Sequence, residues 1–230
     1  MAVKLNQPVL SQHVLQIASA LFFNETELDY QTVTLLLDSG AQRSFIKSSL
    51  GTSLKLATPG TTSFTTVGMG ELQESFESDE VRVTLKSCHS STKLRNISVF
   101  TKEKLTTTTR TADLSEEDRK FIREKKVVVA QTSLLPMNVS PDILIGQDLL
   151  HQIFDHTAAM VKLPSGLILT PTIFRYTISG KSGTLYSKKR TSEPQCNSLI
   201  VATSLILTKD DYKMNIKHLY ELESVRKRHR

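Results

Sequence analysis

The amino-acid sequence predicts an all-β domain, on three observations. Between Val14 and Tyr176 the apolar segments are short, rich in Val, Ile, Leu, Phe and Thr, and separated by polar turns. Several are apolar at consecutive positions, as strands covered on both faces inside a barrel-like sheet require. Helical spacing is confined to a few short stretches. The candidate strands are Val14–Phe23, Thr32–Leu37, Thr61–Val67, Asp79–Leu85, Ile97–Phe100, Val127–Ala130, Ile143–Ile145 and Gly166–Thr170.

The interruptions and the ends complete the organisation. Leu105 to Thr111 is a threonine-rich loop, and Ser115 with Asp118 forms a Ser-x-x-Asp start to a helix running to about Lys125. Together they read as an insert between strands, about residues 101–126. A second short helix is expected after Gly146, where Gln147 to Phe154 repeats apolar residues at helical spacing. Beyond about Gly180 the chain turns polar, with Lys188-Lys189-Arg190 and Pro194, which predicts a linker. The expected plan is an extension over 1–13, one domain over 14–180, and a linker and basic tail over 181–230. Within the tail, Leu199–Thr208 is apolar enough for a strand and Lys217–Arg228 could form a helix.

Composition narrows the function classes. Hydrophobic residues at 39% and charged residues at 23% are ordinary for a globular protein, and no apolar run approaches the roughly 20 residues that span a bilayer. No membrane association is expected. The N-terminus lacks the basic-then-apolar pattern of a secretory signal, which predicts an intracellular, cytoplasmic or nuclear chain. Two cysteines, Cys88 and Cys196, lack the number and spacing of a zinc site or disulfide framework. The net charge of +6 is concentrated in the last five residues, Arg226 to Arg230, and with no aromatic stacking platform or zinc knuckle, nucleic acid is not an expected partner.

Reading positions eliminates several enzyme signatures. Gly180-Lys181-Ser182 ends like a phosphate-binding loop, but the required first glycine is Arg175. Gly68-Met69-Gly70 lacks a third glycine, since Gln73 stands there. His151 and His156 are five apart and lie on different faces of a helix, unlike a metalloprotease pair. No Gly-x-Ser-x-Gly occurs. No metal or cofactor is expected. What remains is Leu35-Leu36-Leu37-Asp38-Ser39-Gly40-Ala41. A carboxylate directly after three leucines is chemically odd, because desolvation penalises its charged form. Asp-Ser-Gly alone is a common turn. A second apolar run closed by glycine, Ile143-Leu144-Ile145-Gly146, ends 108 positions after Asp38 and leads into the expected helix.

This pairing of hydrophobic-hydrophobic-Asp-Ser-Gly-Ala with a later hydrophobic-hydrophobic-Gly resembles the double signature of retropepsins, the dimeric aspartic proteases of retroviruses and retrotransposons. More narrowly, Asp38 to Ile46 and Asp142 to Asp148 are similar to the aspartic peptidase of Pao/BEL-type retrotransposons. Lys213-Met214-Asn215 and Leu219 to Ser224 resemble the lead-in to that family's reverse transcriptase. The resemblance implies a retropepsin-like closed barrel forming half of an acid protease. It also implies a homodimer, a polypeptide substrate, and Asp38 as the catalytic residue of each chain. Ser39 would bond the opposite chain's backbone, Gly40 and Ala41 would form the floor, and Ile145-Gly146 would pass behind the active loop. Gly68, Met69 and Gly70 are candidates for a flap tip. Compact retroviral proteases carry an acid and an arginine where this chain has Gln42 and Gln147. Arg43 and Asp148 stand one place later, which suggests a shifted, charge-reversed ion pair. The alternative to an active endopeptidase is a catalytically silent dimerisation or protein-binding module.

Overall fold

The computed structural model describes residues 12–24, 27–67 and 73–182, and the backbone of Leu205–Thr208. In chain order the strands are β1 (His13–Val14), β2 (Gln16–Asn24), β3 (Asp29–Leu37), β4 (Phe45–Lys47), β5 (Gly60–Val67), β6 (Gln73–Ser87) and β7 (Lys93–Lys102). They continue as β8 (Thr109–Arg110), β9 (Asn138–Val139), β10 (Ile143–Ile145), β11 (Val161–Lys162), β12 (Ile168–Thr172), β13 (Arg175–Lys181) and β14 (Leu205–Thr208). The helices are α1 (Ser48–Ser53), α2 (Glu116–Glu124) and α3 (Gln147–Ile153).

Strand alternation builds the barrel. Ala18, Ala20 and Phe22 of β2, Val33, Leu35 and Leu37 of β3, and Val81, Val83 and Leu85 of β6 point into one core. The strands run β6-β2-β3-β10-β4-β7, and β7 pairs back onto β6, closing six strands. Most pairs are antiparallel; β3 with β10 and β4 with β7 are parallel. Closure needs one irregularity, a register shift between Val83 and Leu85 opposite Asn96. Asn96 adopts φ 51, a left-handed conformation that asparagine tolerates better than most residues. The closed all-β barrel expected from the sequence is therefore the fold, consistent with a retropepsin-like architecture.

The insert does more than interrupt. A second sheet runs β1-β13-β12-β11, and α2 packs on it through Ile122 and the half-buried Phe121. Val14, Leu163, Leu167, Leu169 and Ile178 complete this second core. The predicted helix start is observed: the Ser115 side chain accepts from Asp118 N, and Asp118 reciprocates as a capping box. Asp118 is wholly buried, and its other oxygen accepts from Ser165 N at 2.9 Å, fastening the helix to the β11–β12 turn.

Some expectations needed correction. Val127–Ala130 is not a strand; it forms a single bridge, Val129 to Tyr176, while Ala130 links Ser19 N and Tyr176 O of the two sheets. Its apolar run reflects burial between two cores, which strand periodicity does not distinguish. Strands β4 and β13 escaped the sequence reading because polar residues flank or interrupt them. The predicted hairpin is present, with β5 paired to β6 from Gly60↔Glu80 to Val67↔Gln73, but its tip, Gly68, Met69 and Gly70, lies outside the described residues. The segments 1–11 and 183–204, and the tail helix Lys217–Arg228, also lie outside them. Replacing Asp118 with alanine should lower unfolding free energy by about 2–3 kcal/mol in a denaturant titration, because two part-buried amide donors lose their wholly buried acceptor.

Candidate active site

Asp38 continues β3 out of the barrel. The parallel ladder pairs Leu35, Leu36 and Leu37 with Ile143, Leu144 and Ile145, and Asp38 N extends it by donating to Ile145 O at 2.9 Å. The two sequence signatures, distant along the chain, therefore lie side by side. Asp38 is half-buried, Ser39 exposed, Gly40 half-buried and Ala41 buried. The carboxylate organises its own turn: Gly40 N donates to Asp38 Oδ1 at 2.8 Å, and Ala41 N to Asp38 O at 3.2 Å. The Ser39 hydroxyl has no partner among the described residues.

The loop is clamped from beneath by the start of α3. Gln147 N donates to Ala41 O at 2.8 Å, Asp148 N to Gln42 O at 3.3 Å, and the Gln147 side-chain amide to Ser39 O at 2.8 Å. Three loop carbonyls are thereby held by two residues. This approach is possible only because residue 146 lacks a side chain. A Cβ on Gly146 would stand 2.6 Å from Arg43 O and 2.8 Å from Ala41 O, both rigid backbone atoms. Its φ of −97° is open to any residue, so space and not conformation requires glycine here.

Ser44, which sequence reading did not single out, ties the two signatures together. It is wholly buried; its hydroxyl donates to Asp148 Oδ1 at 2.6 Å and accepts from Gly146 N at 2.9 Å, while Ser44 N donates to Asp148 Oδ2 at 3.1 Å. The expected Arg43–Asp148 ion pair does not form. The bend ahead of β4 leaves Gln42 and Arg43 both exposed, while the buried Ser44 takes the place against Asp148. Asp142 acts in the same manner at the other end of β10, its carboxylate accepting from Thr34 N at 2.9 Å and pairing with Lys47 at 3.7 Å. No feature of the sequence marked Ser44, Gln147 or Asp142 as supports, since each contact spans about a hundred residues.

Two residues apart on one strand, Leu36 and Asp38 share a face, opposite to Leu35 and Leu37 in the core. That face is an apolar floor of Ile17, Leu36, Ala41 and Leu144, with Leu15, Leu105 and Val139 packed against it. A neighbouring aromatic cluster of Phe45, Phe64, Phe76 and Phe100 joins the β5–β6 hairpin to β4 and β7, and Leu105 packs on both this cluster and the floor. Among the described residues no group of three or more His, Cys, Asp and Glu side chains could hold a metal ion.

A half-buried carboxylate in a braced loop, beside an apolar floor, is an arrangement suited to holding a peptide against an acid. The family model described as "Putative peptidase (DUF1758)" matches residues 24–192, a span that includes both signatures, the hairpin and the insert. The chain belongs to this family. Membership in DUF1758 makes it a peptidase-like protein, a hydrolase by reaction class. No curated protein and no solved structure matches the chain. Within this DUF1758 domain the Asp38 loop and Gly146 are one structural unit, so changes beneath the loop should reach the site. Ser44→Ala should cost about 2–3 kcal/mol in denaturant unfolding, because Gly146 N and Asp148 Oδ1 lose their partner in a buried setting. Gly146→Ala should displace the loop and lower peptidase turnover by about a hundredfold, read in a peptide-hydrolysis assay on folded protein.

Proposed function

We propose that this chain is an aspartic endopeptidase derived from a Pao/BEL-type retrotransposon polyprotein, working as a homodimer in which each copy supplies Asp38. The observation that carries this reading is the setting of Asp38. Its carboxylate is half-buried at a strand end, fixed by Gly40 N, in a loop held from below by Gln147. A turn made only to reverse the chain has no need of such support.

One chain holds a single Asp-Ser-Gly. The other serine-glycine pairs, Ser165-Gly166, Ser179-Gly180 and Ser182-Gly183, follow Pro164, Ile178 and Lys181, so no second acid of this kind completes a site within the chain. Two copies meeting through their Asp38 loops supply it. Carboxyls that close cannot both ionise cheaply, and the pair shares one proton. The ionised partner takes a proton from a water, the water oxygen attacks the peptide carbonyl carbon, and the protonated partner donates to the carbonyl oxygen. Collapse of the tetrahedral intermediate returns a proton to the departing amine. In this reading Ser39, exposed in one chain, bonds backbone of the other, and the β5–β6 hairpin closes over an extended polypeptide.

Hydrolysis of an unstructured polypeptide should rise more steeply than linearly with enzyme concentration below the dimer dissociation constant, with a bell-shaped acid-to-neutral pH profile. Asp38→Asn should abolish turnover while leaving circular dichroism and sedimentation unchanged, because the amide keeps the shape but cannot act as base. A folded, dimeric wild-type sample that cleaves no more than this variant between about pH 4 and pH 7 would replace the protease with a silent protein-binding module.

A further inference from the structure

The segment from Glu103 to Thr108 has an unusual construction. Leu105 is its one apolar residue, set between Glu103-Lys104 and a run of threonines. Among the described residues none from Glu103 to Thr108 makes a hydrogen bond, so the segment's hold on the body rests on Leu105 and on its two ends. Leu105 belongs to two clusters. It packs on the apolar floor of Ile17, Leu36, Ala41 and Leu144 beside Asp38, and also on the aromatic root of the hairpin. In that root Phe64 lies 4.8 Å from Phe100 and 5.9 Å from Phe45, ring centre to ring centre.

The ends make the same connection. Lys102, just before the segment, pairs with Glu74 at 2.7 Å and lies 3.7 Å over the Phe76 ring, both on hairpin strand β6. Just after it, Thr109 pairs with Val139, which packs on the floor. The segment therefore runs from hairpin to floor, with Leu105 wedged between them. Leu36 and Leu144, which share the face of Asp38, are only 3% and 8% exposed. Leu105, with Leu15 and Val139, is one of the part-buried side chains that cover that face.

Resting on the aspartic-peptidase reading, we infer that Leu105 is an autoinhibitory latch: it covers the apolar floor beside Asp38 and must leave before a substrate side chain can settle there. Few bonds oppose its departure, because the segment gives up apolar contact and no hydrogen bond. A substrate's apolar side chain takes over the same contacts. Through Lys102 the movement is coupled to the hairpin, so lifting the hairpin and releasing the latch are one motion.

The test uses the full chain carrying Asp38→Asn, which binds without cutting, and a short labelled peptide with two central leucines, followed by fluorescence anisotropy. Adding Leu105→Ser should tighten binding about tenfold, since the competing apolar contact is gone, whereas Leu105→Met, of similar volume, should leave it unchanged. In the chain with Leu105 intact, hydrogen exchange across residues 103–109 should accelerate when the peptide is added; this measurement needs no variant at position 105. Equal or weaker binding by Leu105→Ser, slowed exchange, or no peptide binding to any of the three chains overturns the latch. If binding and exchange behave as expected while wild-type protein hydrolyses nothing, the peptidase reading falls and the latch stands.

Discussion

The parallel pairing of β3 with β10 is the contact on which the rest depends. It closes the barrel between β2 and β4, and it brings the end of one apolar run beside the end of another that lies over a hundred residues away. At its open end the ladder delivers Asp38 on one strand and Gly146 on the other. The missing side chain at Gly146 then lets helix α3 start directly under the loop, so that backbone amides at 147 and 148 meet carbonyls at 41 and 42. Any change that lengthens this approach weakens the loop's support, because hydrogen bonds tolerate only a few tenths of an ångström.

Charge is handled by the same local geometry. Among the described residues no cation pairs with Asp148; a buried serine hydroxyl and a backbone amide satisfy it instead. Neutral donors suffice because α3 and the loop already fix the geometry. Asp142 and Asp118 follow the same logic, each bonded to the amide of a remote strand or turn. Three carboxylates thus act as staples between segments distant in sequence.

The insert and the hairpin link the barrel's stability to its site. Helix α2 covers the second sheet and gives that sheet a core of its own, while the flanking ribbon of β8 and β9 lies along the floor beside Asp38. The hairpin is rooted in four phenylalanines drawn from β4, β5, β6 and β7. The rings interlock and join the hairpin to β4 and β7, while the segment around Leu105 is held by apolar contact and by its two ends.

Local pattern carried much of this into the sequence. Alternation and apolar runs determined the all-β class, the Ser115–Asp118 cap determined the insert helix, and the two glycine-closed runs marked Asp38 to Ala41 and Ile145-Gly146 as elements that belong together. The strand class and the helix cap are legible because each depends on neighbours a few residues apart, whereas the joining of the two runs, 108 positions apart, rests on the resemblance of their motifs to a known pair. The tertiary structure alone decided which partner meets which. It put Ser44 rather than Arg43 against Asp148, turned Val127–Ala130 into a bridge between cores, and wedged Leu105 between floor and hairpin. The physical reason is that these contacts are set by which face a residue presents after the chain has closed, and a one-residue change of face leaves the local pattern almost untouched.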